Sequence, residues 1–333
     1  MPSLAMVPVP GPGAPRPKIP IATSVAPADT STSSVIRPDP KDQITCGKVR
    51  VETLSDIVFA EPTLRDGKPL QLRMDVQVPA PQGRARPLVV YIPGGGFMIS
   101  VKESALNLRT YVAEAGFVVA SIEYRTLTVG ANYHDGIADV KSAVRYLRAN
   151  AKQFGIDPRK VAVWGESAGG YLAAMVGVTN GNKSFETGPH LEASSDVQAV
   201  VDKFGASDLS KIASDFDPQT RAIYAGPNPV ITYVGADVST AANPLSYVKA
   251  TDPPFLIFHG SADRFISPSQ TLLLHNALTA AGAHSTRYVL DGAGHGDLSF
   301  MGDFQSGLPW SSKQAMNIIV DFLRQTIGAN PGS

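Results

Sequence analysis

The chain has 333 residues, with 29 basic and 29 acidic side chains, 30 Gly, 27 Pro and a single Cys. A neutral balance without any Lys/Arg run gives no field to gather polyanions, so nucleic acid is not an expected partner. No apolar stretch approaches the roughly 18 residues of a membrane-spanning helix, and Cys46 alone allows neither an intrachain disulfide nor a thiolate zinc site.

Ten of the 27 prolines fall within residues 1–40, together with the run Thr30-Ser31-Thr32-Ser33-Ser34. Such a segment lacks backbone donors for a ladder and buries too little apolar surface to offset its ordering. Residues 1–45 therefore read as a Pro/Ser/Thr-rich extension, disordered or strapped to the surface as a polyproline-like strand. Pro8, Pro10, Pro12, Pro15, Pro17 and Pro20 interrupt every apolar run there, so a cleavable signal peptide is not expected. With one cysteine, this points to the cytoplasm ahead of export.

From about Lys48 the pattern changes. Val49-Arg50-Val51 and Leu70 to Val76 alternate in hydrophobicity, as half-buried antiparallel strands do. The next strand candidates are continuous apolar runs: Leu88 to Ile92, Phe117 to Ile122, Val161 to Trp164, Val197 to Phe204, Phe255 to His259 and Tyr288 to Leu290. Runs of that kind suit strands covered on both faces. Helical patterns separate them, at Ala105 to Ala115, Tyr133 to Gln153, Ala168 to Val178, Pro268 to Ala281 and Lys313 to Ile327. In the second, Ile137, Val140, Val144, Leu147 and Ala151 repeat on one face; in the fourth, Ser267 is a candidate N-cap before Pro268. Strands alternating with helices predict one α/β domain over residues 46–333, with a mostly parallel central sheet and helices on both faces.

The chemistry concentrates at strand ends. Gly165-Glu166-Ser167-Ala168-Gly169-Gly170 follows a strand and opens a helix, the context of a nucleophile elbow. A serine hydroxyl needs a base, and in this arrangement the chain order is serine, acid, histidine. Of six histidines, His295 stands in a glycine-rich loop, Gly292 to Asp297, after the strand ending at Leu290. His275 and His284 sit in or just after a helix, and His259 reads as a group supporting the acid loop. Asp263, just past the strand from Phe255, is the expected acid, ahead of its rivals Asp291 and Asp297. Upstream, Pro93-Gly94-Gly95-Gly96-Phe97 offers backbone N–H groups to a substrate oxygen, which is the work of an oxyanion hole.

The set PGGGF, GESAGG, HGSADR and GAGHGD resembles an α/β-hydrolase of the hormone-sensitive-lipase-like type, and more closely its bacterial ferulic-acid-esterase-like branch. Glu123-Tyr124-Arg125, Asp139 to Pro158 and Asn243-Pro244-Leu245 extend the likeness, which spans about residues 48–328. The resemblance implies the α/β-hydrolase fold and a serine carboxylesterase acting on a small-molecule ester, without metal or cofactor. It assigns Ser167 as nucleophile, Asp263 as acid, His295 as base, and the Gly95, Gly96 and Ala168 amides as oxyanion donors. One position departs from it: Pro93 stands where such families usually carry a histidine.

Substrate is less legible. Residues 206–242 break the alternation and read as a small cap segment with Phe216, Tyr224 and Tyr233, a long connection of the kind that is usually functional. Phe97, Met98, Tyr171 and Phe300 adjoin the catalytic motifs and complete an expected apolar pocket for short-acyl or aromatic esters. A carbohydrate acetyl or feruloyl esterase and an amidase or formamidase would use the same three residues. A non-catalytic binding protein of this superfamily would lack the histidine that this chain has. The sequence does not fix the oligomeric state.

Overall fold

The computed structural model describes residues 20–81, 85–296 and 308–328. Among them, nine strands form one sheet: β1 Ser34–Ile36, β2 Val51–Ala60, β3 Leu72–Pro79, β4 Arg86–Ile92, β5 Val118–Ile122, β6 Ile156–Glu166, β7 Ala199–Lys203, β8 Phe255–Gly260 and β9 Ser285–Leu290. Their spatial order is β1-β9-β8-β7-β6-β4-β5-β3-β2. Only the β2–β3 and β3–β5 pairings are antiparallel. The alternating run Leu70 to Val76 falls on β3, and Val49 to Val51 only reaches the start of β2; the continuous runs are the parallel strands, with β5 also pairing antiparallel to β3 at the junction.

The continuous runs divide by parity between two cores. Leu88, Val90 and Ile92 of β4 face one cluster, Val89 and Tyr91 the other. The first cluster is covered by α2 (Tyr133–Ala149), α3 (Ala168–Val178) and α6 (Ser269–Ala281); the second by α1 (Leu106–Glu114) and α7 (Lys313–Thr326). Helices thus cover both faces, as the alternation requires. Between β7 and β8 lie two short helices, α4 (Pro218–Tyr224) and α5 (Pro229–Val234). Among the described residues, no helix is long and apolar enough to cross a membrane.

Two expectations fail. Residues 1–19 of the extension lie outside the described residues; from Pro20 the segment runs along the body as a strap, tied at Ala22, Thr23 and Ala26, but against expectation it also builds a ladder, β1 pairing in parallel with β9, Val35 opposite Val289. Proline forbids pairing only where its own nitrogen must donate, and Ser34-Val35-Ile36 is proline-free, with Pro27 and Pro38 outside it. Nor does Ser267 cap α6. Its Oγ accepts from the Asp215 amide at 3.0 Å, while the Asp215 carboxylate accepts from Ser269 N at 2.7 Å. The first turn of α6 is therefore satisfied from the 206–242 segment, a long-range contact that no local pattern announces.

Candidate active site

β6 ends at Glu166 and α3 begins at Ala168, leaving Ser167 alone to turn the chain. Its φ of 57° and ψ of −119° lie where a side chain is rarely tolerated. The turn is possible because the glycines on either side let backbone approach backbone. A Cβ on Gly165 would stand 2.0 Å from the Gly169 carbonyl oxygen, and one on Gly169 would stand 2.0 Å from that of Ile92. Behind the turn, Ser167 N donates to Lys203 O at 2.9 Å. Lys203 Nζ reaches Glu166 at 2.6 Å and lies 5.1–5.7 Å from the ring centres of Trp164, Phe204 and Trp310. An ion pair set among aromatic faces, with Lys203 buried and Glu166 half-buried, thus anchors the strand side of the serine turn.

The next two expected residues meet it. His295 Nε2 lies 2.7 Å from Ser167 Oγ, and His295 Nδ1 lies 2.7 Å from Asp263 Oδ2. The ring is held between Phe204 and Phe265, with centroids at 4.7 and 5.4 Å. Its loop is pinned by Trp310, whose Nε1 donates to Gly294 O at 3.0 Å, and by Ala262 N donating to Ala293 O at 3.0 Å. Asp263 is 0% exposed. Its Oδ1 accepts from the Phe265 and Ile266 amides at 2.8 and 3.0 Å. Burial alone would push this carboxyl up, but His295 and His259 together hold it well below the usual carboxylate range. Asp291 is turned away to Arg37 at 2.8 Å, and Asp297 lies outside the described residues.

The glycine loop supplies the fourth side. Gly95 has φ +147°, and its carbonyl accepts from the amides of Met98 and Ile99 at 3.0 and 3.2 Å. That turn presents Gly96, which lines the cavity in front of Ser167 together with Ala168. Among the described residues, the Gly96 and Ala168 amides meet no backbone acceptor. Gly95 itself is not part of the lining. From behind, Tyr124 Oη donates to Pro93 O at 2.9 Å, fastening the loop through a main-chain carbonyl.

The cavity is small, about 30 Å³, room for about two water molecules. Beyond the glycine loop, Ser167 and His295, its walls are Phe97, Ala206, Ile212, Tyr224, Val230, Phe265 and Ile266. Phe97 and Tyr224 were expected there. Four expected residues are not in the lining. The Tyr171 hydroxyl turns inward to Ala242 O at 2.7 Å, and the Tyr233 ring stacks behind Phe97 at 4.3 Å. Phe216 packs on Tyr224 and bridges to Val25, and Met98 is engaged by its amide in the Gly95 turn. Phe300 lies outside the described residues. Missed were Ala206, Ile212, Val230, Phe265 and Ile266; only Phe265 and Ile266, two and three residues after the acid, carried a positional signal. Among the described residues, no group of three His, Cys, Asp or Glu side chains is placed to hold a metal ion.

A serine at a strand-to-helix elbow, on the carboxyl side of a mostly parallel sheet flanked by helices, defines an α/β-hydrolase. Solved structures agree. A truncated form of a carbohydrate esterase from gut microbiota aligns with TM-score 0.68 and 26% identity, covering 87% of this chain and 99% of that one. Thermogutta terrifontis esterase 2 phosphorylated by paraoxon aligns with TM-score 0.66 and 24% identity, covering 86% and 97%, a likeness of fold. Within that fold the chain belongs to the BD-FAE family, whose model matches residues 74–278. Esterase LipQ of Mycobacterium tuberculosis is 28% identical over 261 residues, 75% of this chain and 58% of the relative. The chain spans about half the length of the curated relatives it matches.

Proposed function

We propose that this chain is a serine carboxylesterase that hydrolyses short-acyl esters through an acyl-enzyme. The observation that carries the reading is the line Ser167, His295, Asp263, with both links at 2.7 Å, on an elbow that tolerates no bulk. In that reading His295 Nε2 takes the Ser167 proton as Oγ attacks the acyl carbon. The Gly96 and Ala168 amides hold the oxyanion, with Gly95 turning the loop toward it. His295 then protonates the departing alcohol. Water repeats the cycle, giving its proton to His295 as it attacks the acyl-serine, and the carboxylic acid leaves as Oγ recovers the proton. Asp263 stays ionised throughout and steadies the imidazolium.

A cavity of about 30 Å³ behind apolar walls supports a short acyl group such as acetyl over longer ones. The likeness to a carbohydrate esterase from gut microbiota supports a carbohydrate-borne alcohol as one leaving group. The relatives named above support ester chemistry, and a lone Cys46 supports action in a reducing compartment. The decisive experiment is turnover of p-nitrophenyl acetate. Ser167→Ala should lose at least about 10⁴-fold, and acetate, butyrate and octanoate esters should fall off in that order; wild-type turnover in Ser167→Ala would sink the assignment.

A further inference from the structure

Asp263 is held by two histidines. Besides His295, the fully buried His259 brings Nε2 to 3.1 Å from the same Oδ2 and to 3.0 Å from Ile266 O. Its other nitrogen lies 2.9 Å from Thr271 Oγ1. Thr271 Oγ1 in turn accepts from Arg287 Nε at 3.0 Å, and Arg287 Nη2 donates to Pro268 O at 2.8 Å. A third guanidinium contact, Nη1 to Ser33 Oγ at 2.7 Å, fastens this row to the segment before β1.

The proton positions follow from the partners. Asp263 Oδ2 and Ile266 O can only accept, so His259 Nε2 carries a hydrogen. A guanidinium can only donate, so Thr271 Oγ1 accepts from Arg287 and has one proton left. His259 Nδ1 is the nearer taker, at 2.9 Å against 3.3 Å to Pro268 O. That leaves His259 neutral in its Nε2–H form, which avoids placing a second cation beside Arg287 in a buried site.

We propose that His259 is a positioning residue for the reaction, and this rests on the triad reading above. With His259 in place, Asp263 Oδ1 has two amide donors, while Oδ2 has His295 Nδ1 at 2.7 Å and, at 3.1 Å, the single Nε2–H of His259 that it shares with Ile266 O. The carboxylate cannot swing without breaking several bonds in a site closed to solvent, since Asp263 and His259 are both fully buried. Oδ2 is thereby fixed where His295 Nδ1 needs it. Thr271 and Arg287 act one step further back by fixing which nitrogen of His259 donates. His259 lines no part of the cavity, so its contribution falls on turnover and not on substrate affinity.

The test compares His259→Leu, His259→Gln, Thr271→Val and Thr271→Ser, with kcat and KM for p-nitrophenyl acetate. Rates are expressed per serine labelled at completion by a fluorophosphonate, so that misfolded protein is not counted. His259→Leu should lower kcat about 10- to 100-fold with KM within about twofold. His259→Gln, whose amide nitrogen can take the Nε2 place, should recover to within about threefold of wild type. Thr271→Val should lower kcat and Thr271→Ser should not. The proposal is overturned if His259→Leu keeps wild-type kcat, if Gln is as impaired as Leu, or if the loss lies in KM. Should His259→Leu fail to fold, the Thr271 pair decides, and equal kcat in Val and Ser overturns it. Failure of the triad reading would look different: Ser167 in the wild type would take no label.

Discussion

The two sides of the cavity are held by different means. On the sheet side, the turns carrying Ser167, Gly96 and His295 press backbone against backbone, with side-chain bonds from Tyr124 and Trp310 to main-chain carbonyls behind them. At Gly260, for example, a Cβ would stand 2.2 Å from Ala293 O. On the opposite side, Ile212, Tyr224 and Val230 are held by side chains and by a strap of chain that begins far away in sequence. Thr23 N donates to Asp217 at 2.9 Å, Ala26 N to Asp215 O at 2.7 Å, and Ala22 N to Arg264 O at 2.9 Å beside the acid. Tyr224 Oη joins the two, donating to Phe265 O at 2.9 Å with Pro20 O at 3.4 Å. The contrast teaches where change is tolerated: the first side has no slack, whereas the second is a set of separable bonds.

The largest effect should come from adding one methyl group to the first side. Gly169→Ala would drive Cβ to 2.0 Å from Ile92 O and 2.7 Å from Pro93 O, both backbone atoms that cannot step aside without moving β4 and the glycine loop. Turnover of p-nitrophenyl acetate should fall at least about 100-fold, since a shift of about 1 Å at the reacting atoms is enough for that. Thermal denaturation should move down by several degrees in the same variant. A variant with near wild-type turnover would show that the elbow has slack after all.

The same contrast explains what could be read in the sequence. Ser167, Asp263 and His295 were legible because tight turns at strand ends demand glycines at fixed spacing, so chemistry and backbone sterics leave one joint signature. The parallel sheet was legible from the continuous apolar runs. The lining from Ile212 and Val230 was not, because an apolar side chain facing a cavity looks like any core residue until its long-range neighbours are known. Tyr171 and Tyr233 were misplaced for the converse reason: their aromatic character is spent inside the fold. β1 was missed because the prolines around it dominate the local composition, while pairing depends only on the three residues between them.

A second break of the sheet side uses pH. Asp202, on β7 under the elbow, is fully buried; Oδ1 accepts from Gly205 N at 2.9 Å, and Oδ2 has no partner among the described residues. Burial pushes its carboxyl up to about 7, against a single opposing hydrogen bond from Gly205. A raised carboxyl means that the folded chain keeps a proton which the unfolded chain releases between about pH 4 and 7. Stability therefore falls as pH rises through that window and stays lower above it. Going from pH 5 to 8 should cost the wild type about 2 kcal/mol more than Asp202→Asn, measured by urea unfolding at both values. Equal pH dependence in the two proteins would show that Asp202 ionises freely in place.

On the opposite side, one bond can be removed at a time. Tyr224→Phe deletes the hydroxyl that ties α4 to Phe265 O while leaving the ring in the cavity wall. The loss should be about 1 kcal/mol of stability, with KM for p-nitrophenyl acetate raised up to about threefold and kcat little changed. A fall in kcat comparable to that of an elbow variant would mean that the two sides are not separable.

The smallest effect is expected at Pro93, the first position of the glycine loop. A side chain at the first position of that loop can brace it only by reaching back into the protein, but here the brace runs through the main chain. Tyr124 Oη donates to Pro93 O at 2.9 Å, a bond available whatever residue supplies the carbonyl. The next residue is fixed independently, since a Cβ on Gly94 would meet Glu166 O at 3.0 Å and Ser167 Cβ at 3.2 Å, leaving the loop pressed against the elbow. Proline contributes its restricted φ, and that conformation is already imposed by both neighbours. Pro93→His should therefore change kcat/KM for p-nitrophenyl acetate by no more than about threefold. Tyr124→Phe, which removes the brace itself from a buried site, should cost more. The reverse order would place the rigidity of the oxyanion loop in the proline ring and not in the bond from Tyr124 to the Pro93 carbonyl.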